Sequence, residues 1–343
     1  MSKKIAIGTS LFQNNSDCDI IRYAIDLGVS VVDTAENYGM SEKIVANAIR
    51  DIRDRIAIST KFSPENSKYN DVIKAAHRSL KNLQTDSIDI YYVHWPRYDI
   101  DFSETYKALS DLKESGKIKQ IGLCNVNRYD LSLFLDIGPI DCIQMEYNLF
   151  DRWASPVLFH GSIANKFCYS SLDQGIICDS KNKELNCLAE KYNVSVPAVV
   201  LSWEMSKNLI PIFASKNSEH IKDNISSLSV TLSDTDVEFL DRIGSAEVMV
   251  NIRDIIPADG GHRNRKTYKT VDEAIKNHLN YYPSPMEMSK RLQKCRDIKP
   301  IKLSRNNDGS YTLIEGRVRY WAWRLAFGDD CTIPSLIRQG TIS

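Results

Sequence analysis

A carboxylate, a phenol, an amine and an imidazole (Asp33, Tyr38, Lys61 and His94) stand at or just beyond the ends of three short apolar runs. The runs are residues 29–32, 56–59 and 88–93, and each reads as a strand closed by a polar turn. Delivered to one rim, these four groups make a proton-transfer site. The Lys cation would draw the Tyr hydroxyl from its ordinary pKa of about 10 toward working pH. The carboxylate would hold the Lys, and the imidazole would orient a substrate oxygen.

Such a rim needs strands that all end on the same side. Residues 1–244 alternate strand and helix signals with a period of roughly 30 residues, the mark of repeated βα units and a parallel sheet. Strands are predicted at residues 5–7, 29–32, 56–59, 88–93, 120–123, 142–145, 166–169 and 210–213. Amphipathic helices are predicted at residues 71–83, 103–114 and 197–207, the last with Pro197 in its first turn, where a missing N–H costs nothing. Eight such units predict an α/β fold, a closed (β/α)8 TIM barrel with its catalytic groups at the strand C-termini. An open doubly wound sheet is the alternative, weakened because no GxGxxG follows the first strand.

Composition narrows the class. The 343 residues contain no 18-residue apolar run and no cleavable leader, so a soluble, cytoplasmic chain with no membrane partner is expected. Eight Cys show no CxxC spacing, which predicts reduced thiols, and six scattered His predict no metal site. The net charge of zero hides an asymmetry: residues 245–343 carry 17 Lys+Arg against 11 Asp+Glu, and residues 1–244 carry 27 against 33. A basic module appended to an acidic one predicts a boundary near Gly244 and an anionic ligand for the second part.

In that second part, residues 248–256 read as a strand and turn, followed by a polar, cationic loop at 259–266. Helices are predicted at 271–279, 286–295 and 318–326. A strand pair at 300–303 and 311–314 flanks Asn306-Asn307-Asp308-Gly309, a hairpin signal, and a short strand at 333–337 ends the module. The whole is a small α+β domain, residues 245–343. Tyr320, Trp321 and Trp323 read as helix-face packing residues rather than a nucleic-acid stacking platform.

Five segments, in order, resemble the aldo-keto reductase superfamily: Asp33-Thr34-Ala35-Glu36-Asn37-Tyr38-Gly39, Ser59-Thr60-Lys61, Tyr92-Val93-His94-Trp95-Pro96, Gly116 through Asn125, and Gln144-Met145-Glu146-Tyr147-Asn148. The resemblance covers residues 3–243 and implies nicotinamide-dependent reduction of a carbonyl. It implies that Tyr38 is the general acid, tuned by Lys61 and Asp33, with His94 positioning the carbonyl.

The same resemblance implies an NADP(H) site. Asn125 and Gln144 would hold the nicotinamide carboxamide, with Cys124 standing where Ser is usual, and Thr9 and Asp33 would complete that end. Tyr169-Ser170-Ser171-Leu172 resembles the usual Tyr-Ser-Pro-Leu; Tyr169 would stack on the ring, and Ser170 and Leu172 would lie beside the pyrophosphate. Ser215 and Lys216 would meet the 2′-phosphate at a helix N-terminus, His220 would stack on adenine and Asn224 would contact its edge. The chain departs from the pattern by starting at the first barrel strand without a bottom-closing hairpin, and by its short segment between Leu172 and Lys183. An open active site is therefore expected, with Trp95 and Phe12 supplying most of its pocket.

Ile255-Ile256-Pro257, Arg263-Asn264-Arg265-Lys266 and Leu313-Ile314-Glu315-Gly316-Arg317-Val318-Arg319 resemble the ParB/sulfiredoxin-like fold. That resemblance implies an anion or nucleotide site built from Arg263, Arg265, Lys266, Glu315, Gly316, Arg317 and Arg319, although Arg317 and Val318 depart from the usual residues. The leading expectation is a reductase of an aldehyde, ketone or sugar-like carbonyl, with the module aiding substrate, nucleotide or partner binding. A phosphorylated or nucleotide-linked substrate would suit both parts; no nucleic-acid partner is expected of it. The competing expectation is an NADP(H)-sensing regulatory protein whose second domain binds nucleotide or nucleic acid. Substrate identity and oligomeric state are not written in the sequence.

Overall fold

Eight parallel strands close on themselves in chain order: β1 (Ala6–Gly8), β2 (Val31–Asp33), β3 (Ala57–Phe62), β4 (Ile88–Val93), β5 (Ile118–Cys124), β6 (Cys142–Glu146), β7 (Asn165–Tyr169) and β8 (Ile210–Phe213), with β8 paired back to β1. Helices return the chain between them: α1 (Asp17–Asp26), α2 (Ser41–Ile49), α3 (Tyr69–Leu83), α4 (Phe102–Glu114), α5 (Arg128–Ile137), α6 (Ser155–Leu158), α7 (Lys183–Tyr192) and α8 (Val196–Ser206). After β8 come α9 (Ser218–Ser226) and α10 (Asp234–Arg242). The computed structural model describes residues 3–178, 182–244, 247–260 and 265–338.

The period-2 pattern of the strands sorts two cores. Ala6, Val31, Ile90, Tyr92, Cys124, Cys142, Phe167 and Ile212 fill the barrel interior. Their alternates, such as Ile7, Val32, Ile58, Tyr91 and Cys168, pack outward among the helices. Helix α3 shows how the return elements meet that layer: Val72, Ala75, Ala76, Ser79, Leu80 and Leu83 are buried at helical spacing, and Gln84 stops the helix in the left-handed conformation. Helix α8 starts where Ser195 accepts a hydrogen bond from the Ala198 N–H, with Pro in the first turn.

Cα packing divides the chain into two compact units: Met1–Pro96 with Ile100–Val126 and Asp130–Ile243, and Arg97–Asp99 with Asn127–Tyr129 and Gly244–Ser343. In the second, β9 (Glu247–Asn251), β10 (Ile255–Pro257), β11 (Ile301–Arg305), β12 (Tyr311–Glu315) and β13 (Thr332–Arg338) form a mixed sheet of order β10-β12-β11-β13-β9. It carries α11 (Val271–Lys276), α12 (Pro285–Lys294) and α13 (Arg317–Phe327). Its core gathers Ile252, Tyr268, Leu292, Ile301, Leu303, Leu313 and Ile333 around Tyr320, Trp321 and Trp323. The indole N–H groups of Trp321 and Trp323 donate to Thr267 Oγ1 and the Thr332 carbonyl.

Two element predictions need correction. Residues 248–256 are two strands on opposite edges of the sheet, separated by a 3₁₀ turn that Asn251 caps on the Arg253 N–H. Helix α11 ends at Lys276, three residues early, because Asn277 takes φ 47°. The expected loop residues His262, Arg263 and Asn264 lie outside the described residues. Among the described residues, no helix is long and apolar enough to cross a membrane.

Candidate active site

Parallel register brings Asp33 and Lys61 to the same rim of the barrel. Asp33 at the end of β2 pairs with Ser59, and Lys61, two residues on and on the same face, pairs with Tyr92 of β4. His94 follows β4 directly, and Tyr38 sits in the turn between β2 and α2. Lys61 Nζ donates to Asp33 Oδ2 at 2.6 Å and to the Thr34 carbonyl at 2.8 Å. Asp33 Oδ1 accepts from Ser59 Oγ at 2.6 Å and from Gln144 Nε2 at 2.8 Å. The Lys61 side chain is 1% exposed and that of Asp33 6%, so this is a buried ion pair whose remaining positions are hydrogen-bonded.

The half-buried Tyr38 lies over this pair. Lys61 Nζ is 5.5 Å from the Tyr38 ring centroid, and the His94 ring meets the Tyr38 ring edge-on at 5.9 Å. Burial alone would pull the Lys61 ammonium down, but the Asp33 carboxylate, with Tyr38 and Cys124, outweighs it and holds the amine above its usual range. The cation is therefore fixed at neutral pH. A phenol beside it has a stabilised conjugate base, which is what an acid needs to give up its proton.

The next three strands bring up the expected carboxamide partners. Cys124 pairs with Gln144 in register, and Asn125 leaves β5 with φ 58°, a left-handed turn that aims its side chain back over the rim. Asn125 Nδ2 donates to the His94 carbonyl at 2.9 Å, and its Oδ1 accepts from the Tyr169 hydroxyl at 2.5 Å. Gln144 Oε1 lies 3.8 Å from the Cys124 thiol. Burial pushes that thiol up to about 12 against the pull of Lys61, so Cys124 is a neutral, weak donor. The Asn125 amide is thus engaged at both ends, its Nδ2 also reaching Cys124 Sγ at 3.1 Å, and it converges with Gln144 on the rim beside the buried cation.

After β7, Ser170 at φ 55° and then Asp173, Gln174 and Gly175 take left-handed φ values, and Leu172 packs against the outer core. Thr9 is buried and spent: its hydroxyl donates to the Asp33 carbonyl at 2.9 Å and accepts from Ser41 at 2.5 Å. At the far end, Ser215 Oγ accepts from the Asn217 N–H, and Asn217 caps α9 on the Glu219 and His220 N–H groups. His220 is exposed, and Asn224 is buried on the same helix. Lys216 is ion-paired with Asp17 at 2.9 Å, a partner that nothing in the sequence spacing announces. Trp95 is 42% exposed, as a pocket wall can be, but Phe12 is wholly buried in the core and does not line an open rim.

In the second unit, Glu315 pairs with Lys302 and Arg319, each at 3.2 Å. Arg319 also donates to the Lys299 and Pro300 carbonyls, so it is a strut of the sheet rather than an exposed cation. Gly316 begins α13 at φ 103°, where an added Cβ would lie 2.7 Å from Ile301 Cγ2. Arg317, 7% exposed, donates to the Ala258 and Ile314 carbonyls, and its Nη2 has no partner among the described residues. Arg265 and Lys266 are exposed. Sequence reasoning missed Ser59 as the second holder of Asp33. Its place two residues before Lys61 on one strand face was the available signal.

The model of the Aldo/keto reductase family matches residues 4–245. Methylglyoxal reductase YeaE of Escherichia coli is 29% identical over 254 residues, covering 69% of this chain and 87% of that protein. The glyoxal reductase of Bacillus subtilis is 29% identical over 68% of this chain and 85% of its own length. Among solved structures, an aldo-keto reductase from Klebsiella pneumoniae in complex with NADPH superposes with a TM-score of 0.65 at 27% identity, covering 71% of this chain and 95% of that one.

Proposed function

Because the chain belongs to the Aldo/keto reductase family, we propose that it is an NADP(H)-dependent reductase of small aldehydes and ketones. The observation that carries this reading is the buried Lys61–Asp33 pair seated under Tyr38, with the His94 ring edge-on to the same phenol. NADPH, when bound, supplies hydride to the carbonyl carbon. The Tyr38 hydroxyl gives its proton to the carbonyl oxygen, and Lys61, kept charged by Asp33, stabilises the phenolate left behind. His94 orients that oxygen toward Tyr38.

For the cofactor, Asn125 and Gln144 would take the carboxamide, Tyr169 the ring face, and Ser170 and Leu172 the pyrophosphate. Ser215, Lys216, His220 and Asn224 would take the adenosine end, with Lys216 shared between Asp17 and the 2′-phosphate. The relatives named for methylglyoxal and glyoxal favour compact dicarbonyls as the first substrates to try.

The deciding experiment is NADPH oxidation over a carbonyl panel. Tyr38→Phe should lower kcat by about 10²–10⁴-fold while leaving the Kd for NADPH within about twofold, since the ring stays in place. Tight NADPH binding with no turnover above Tyr38→Phe on any carbonyl would leave the sensing role instead.

For the region after Gly244 we read a ParB-like module that binds an anionic group. Support comes from the buried Arg317 Nη2, without a partner among the described residues, and from α13, which starts with no side-chain cap and no acidic residue in its first turn. Nucleoside di- and triphosphates should raise the unfolding midpoint of the wild type but not of Arg317→Ala. Equal shifts in both would refute this site.

A further inference from the structure

The cation expected at the cofactor's adenosine end already has a partner. Lys216 follows β8, two residues ahead of α9, and its Nζ donates to Asp17 Oδ2 at 2.9 Å. Asp17 is the first residue of α1. The same carboxylate oxygen accepts the backbone N–H groups of Gln13 at 2.8 Å and Asn14 at 3.0 Å. The Asp17 side chain is 9% exposed and that of Lys216 40%. The ammonium also lies 5.8 Å from the centroid of the buried Phe12 ring. Carboxylate and loop are thus locked together, while the lysine keeps a side open to solvent.

Three donors on one oxygen favour Asp17 as an anion. Burial alone would raise its pKa, but the Lys216 ammonium and the Asn14 and Gln13 N–H groups outweigh it and hold the carboxyl below its usual range. The carboxylate cannot swing aside without freeing two backbone donors, so it stays when an anion reaches Lys216. A 2′-phosphate must then share one ammonium with a second anion, and the two anions repel each other. A 2′-hydroxyl carries no charge and meets no such repulsion. Of Ser215, Lys216, His220 and Asn224, Lys216 is the one with a positive charge that persists across neutral pH, so its partial neutralisation weighs on the whole adenosine end.

We propose that Asp17 is a specificity-determining residue for the cofactor: by holding Lys216 partly neutralised, it narrows the preference for NADPH over NADH, so that the protein accepts both dinucleotides. This rests on reading Lys216 as the lysine that meets the 2′-phosphate. The charge of Asp17 is the operative feature, not its hydrogen bonds. A carboxamide in the same place would still accept from Gln13, Asn14 and Lys216 through its oxygen.

The test is the ratio of the Kd for NADH to that for NADPH, by protein fluorescence at one ionic strength. The wild-type ratio should be about ten, and Asp17→Asn should raise it about another tenfold, the lower end for a hydrogen bond to a full charge. The conservative substitution matters because the same loop reaches the catalytic turn, where Gln13 Nε2 donates to the Tyr38 carbonyl at 3.0 Å. Asp17→Ser, a shorter neutral acceptor, should raise the ratio as well, and adding Lys216→Met to either variant should erase the gain. An unchanged or lower ratio in both Asp17 variants, or a wild-type ratio above about 10³, overturns the proposal. If Lys216→Met alone then lowers the wild-type ratio, the 2′-phosphate reading stands; if it does not, that reading falls too. A gain that survives Lys216→Met overturns both.

Discussion

Asp33 and Glu204 are both buried carboxyl groups, and their surroundings send them opposite ways. Asp33 meets an ammonium, a hydroxyl and an amide, so all its oxygens are satisfied as an anion. Glu204 meets the Cys168 thiol and the Ser171 hydroxyl but is wholly buried, and burial favours its neutral form. The second case has a measurable thermodynamic sign. Between the ordinary value of 4.5 and about 8, the folded protein keeps a proton that the unfolded chain releases. Folding stability contributed by this group is therefore whole below pH 4.5 and is lost as pH rises toward 8, at about 1.4 kcal/mol per unit. Glu204→Gln has no such proton. Its stability relative to the wild type, from urea unfolding, should climb steadily from pH 5 to pH 8 and level off beyond; a constant difference would mean that Glu204 does not titrate. Asp33 was legible in the sequence because its partners follow strand spacing. Glu204 was not, since a lone acid in an apolar helix gives no hint of which face it occupies.

Strands and helices of the barrel followed from periodicity because each is a repeat of the same problem: one face inward, one face under a helix. Where residues with a local turn preference intervened, as at Asn251 and Asn277, the apolar pattern ran on past the true end of the element. Inside the barrel the fit between adjacent strands is tight. A Cβ at Gly122 of β5 would lie 2.3 Å from the Tyr92 ring of β4, and that ring sits 5.9 Å from Lys61 Nζ. Gly122 thus makes room for the phenol that floors the lysine. Gly122→Ala should cost about 1–3 kcal/mol through overpacking, and the cost should largely vanish in a Tyr92→Ala background. Additive effects in that double-mutant cycle would show that the clash is relieved elsewhere.

At the scale of the molecule, the chain packs as two compact units, and its charge balance changes near Gly244. The rim of the barrel was legible almost residue by residue, since a closed sheet in register leaves strand ends little freedom. Its distal contacts were not: the Lys216–Asp17 pair joins residues 199 positions apart, and the burial of Phe12 depends on helices that pattern alone cannot orient. The eight thiols divide the same way between display and concealment. Cys178 and Cys187 are exposed, whereas Cys124, Cys142 and Cys168 are enclosed. Iodoacetamide at pH 7.5 should label Cys187 in the native protein and reach Cys124 and Cys142 only after unfolding, as peptide mass mapping would report. Native labelling of Cys124 would contradict its concealment. Burial pushes both Cys124 and Cys142 up to about 12, leaving roughly one thiolate in 10⁵ at neutrality. Aldehydes and dicarbonyls are electrophiles that thiolates add to, giving hemithioacetals. A sulfur beside the Lys61 cation would ordinarily be open to such electrophiles, and burial keeps this one chemically silent.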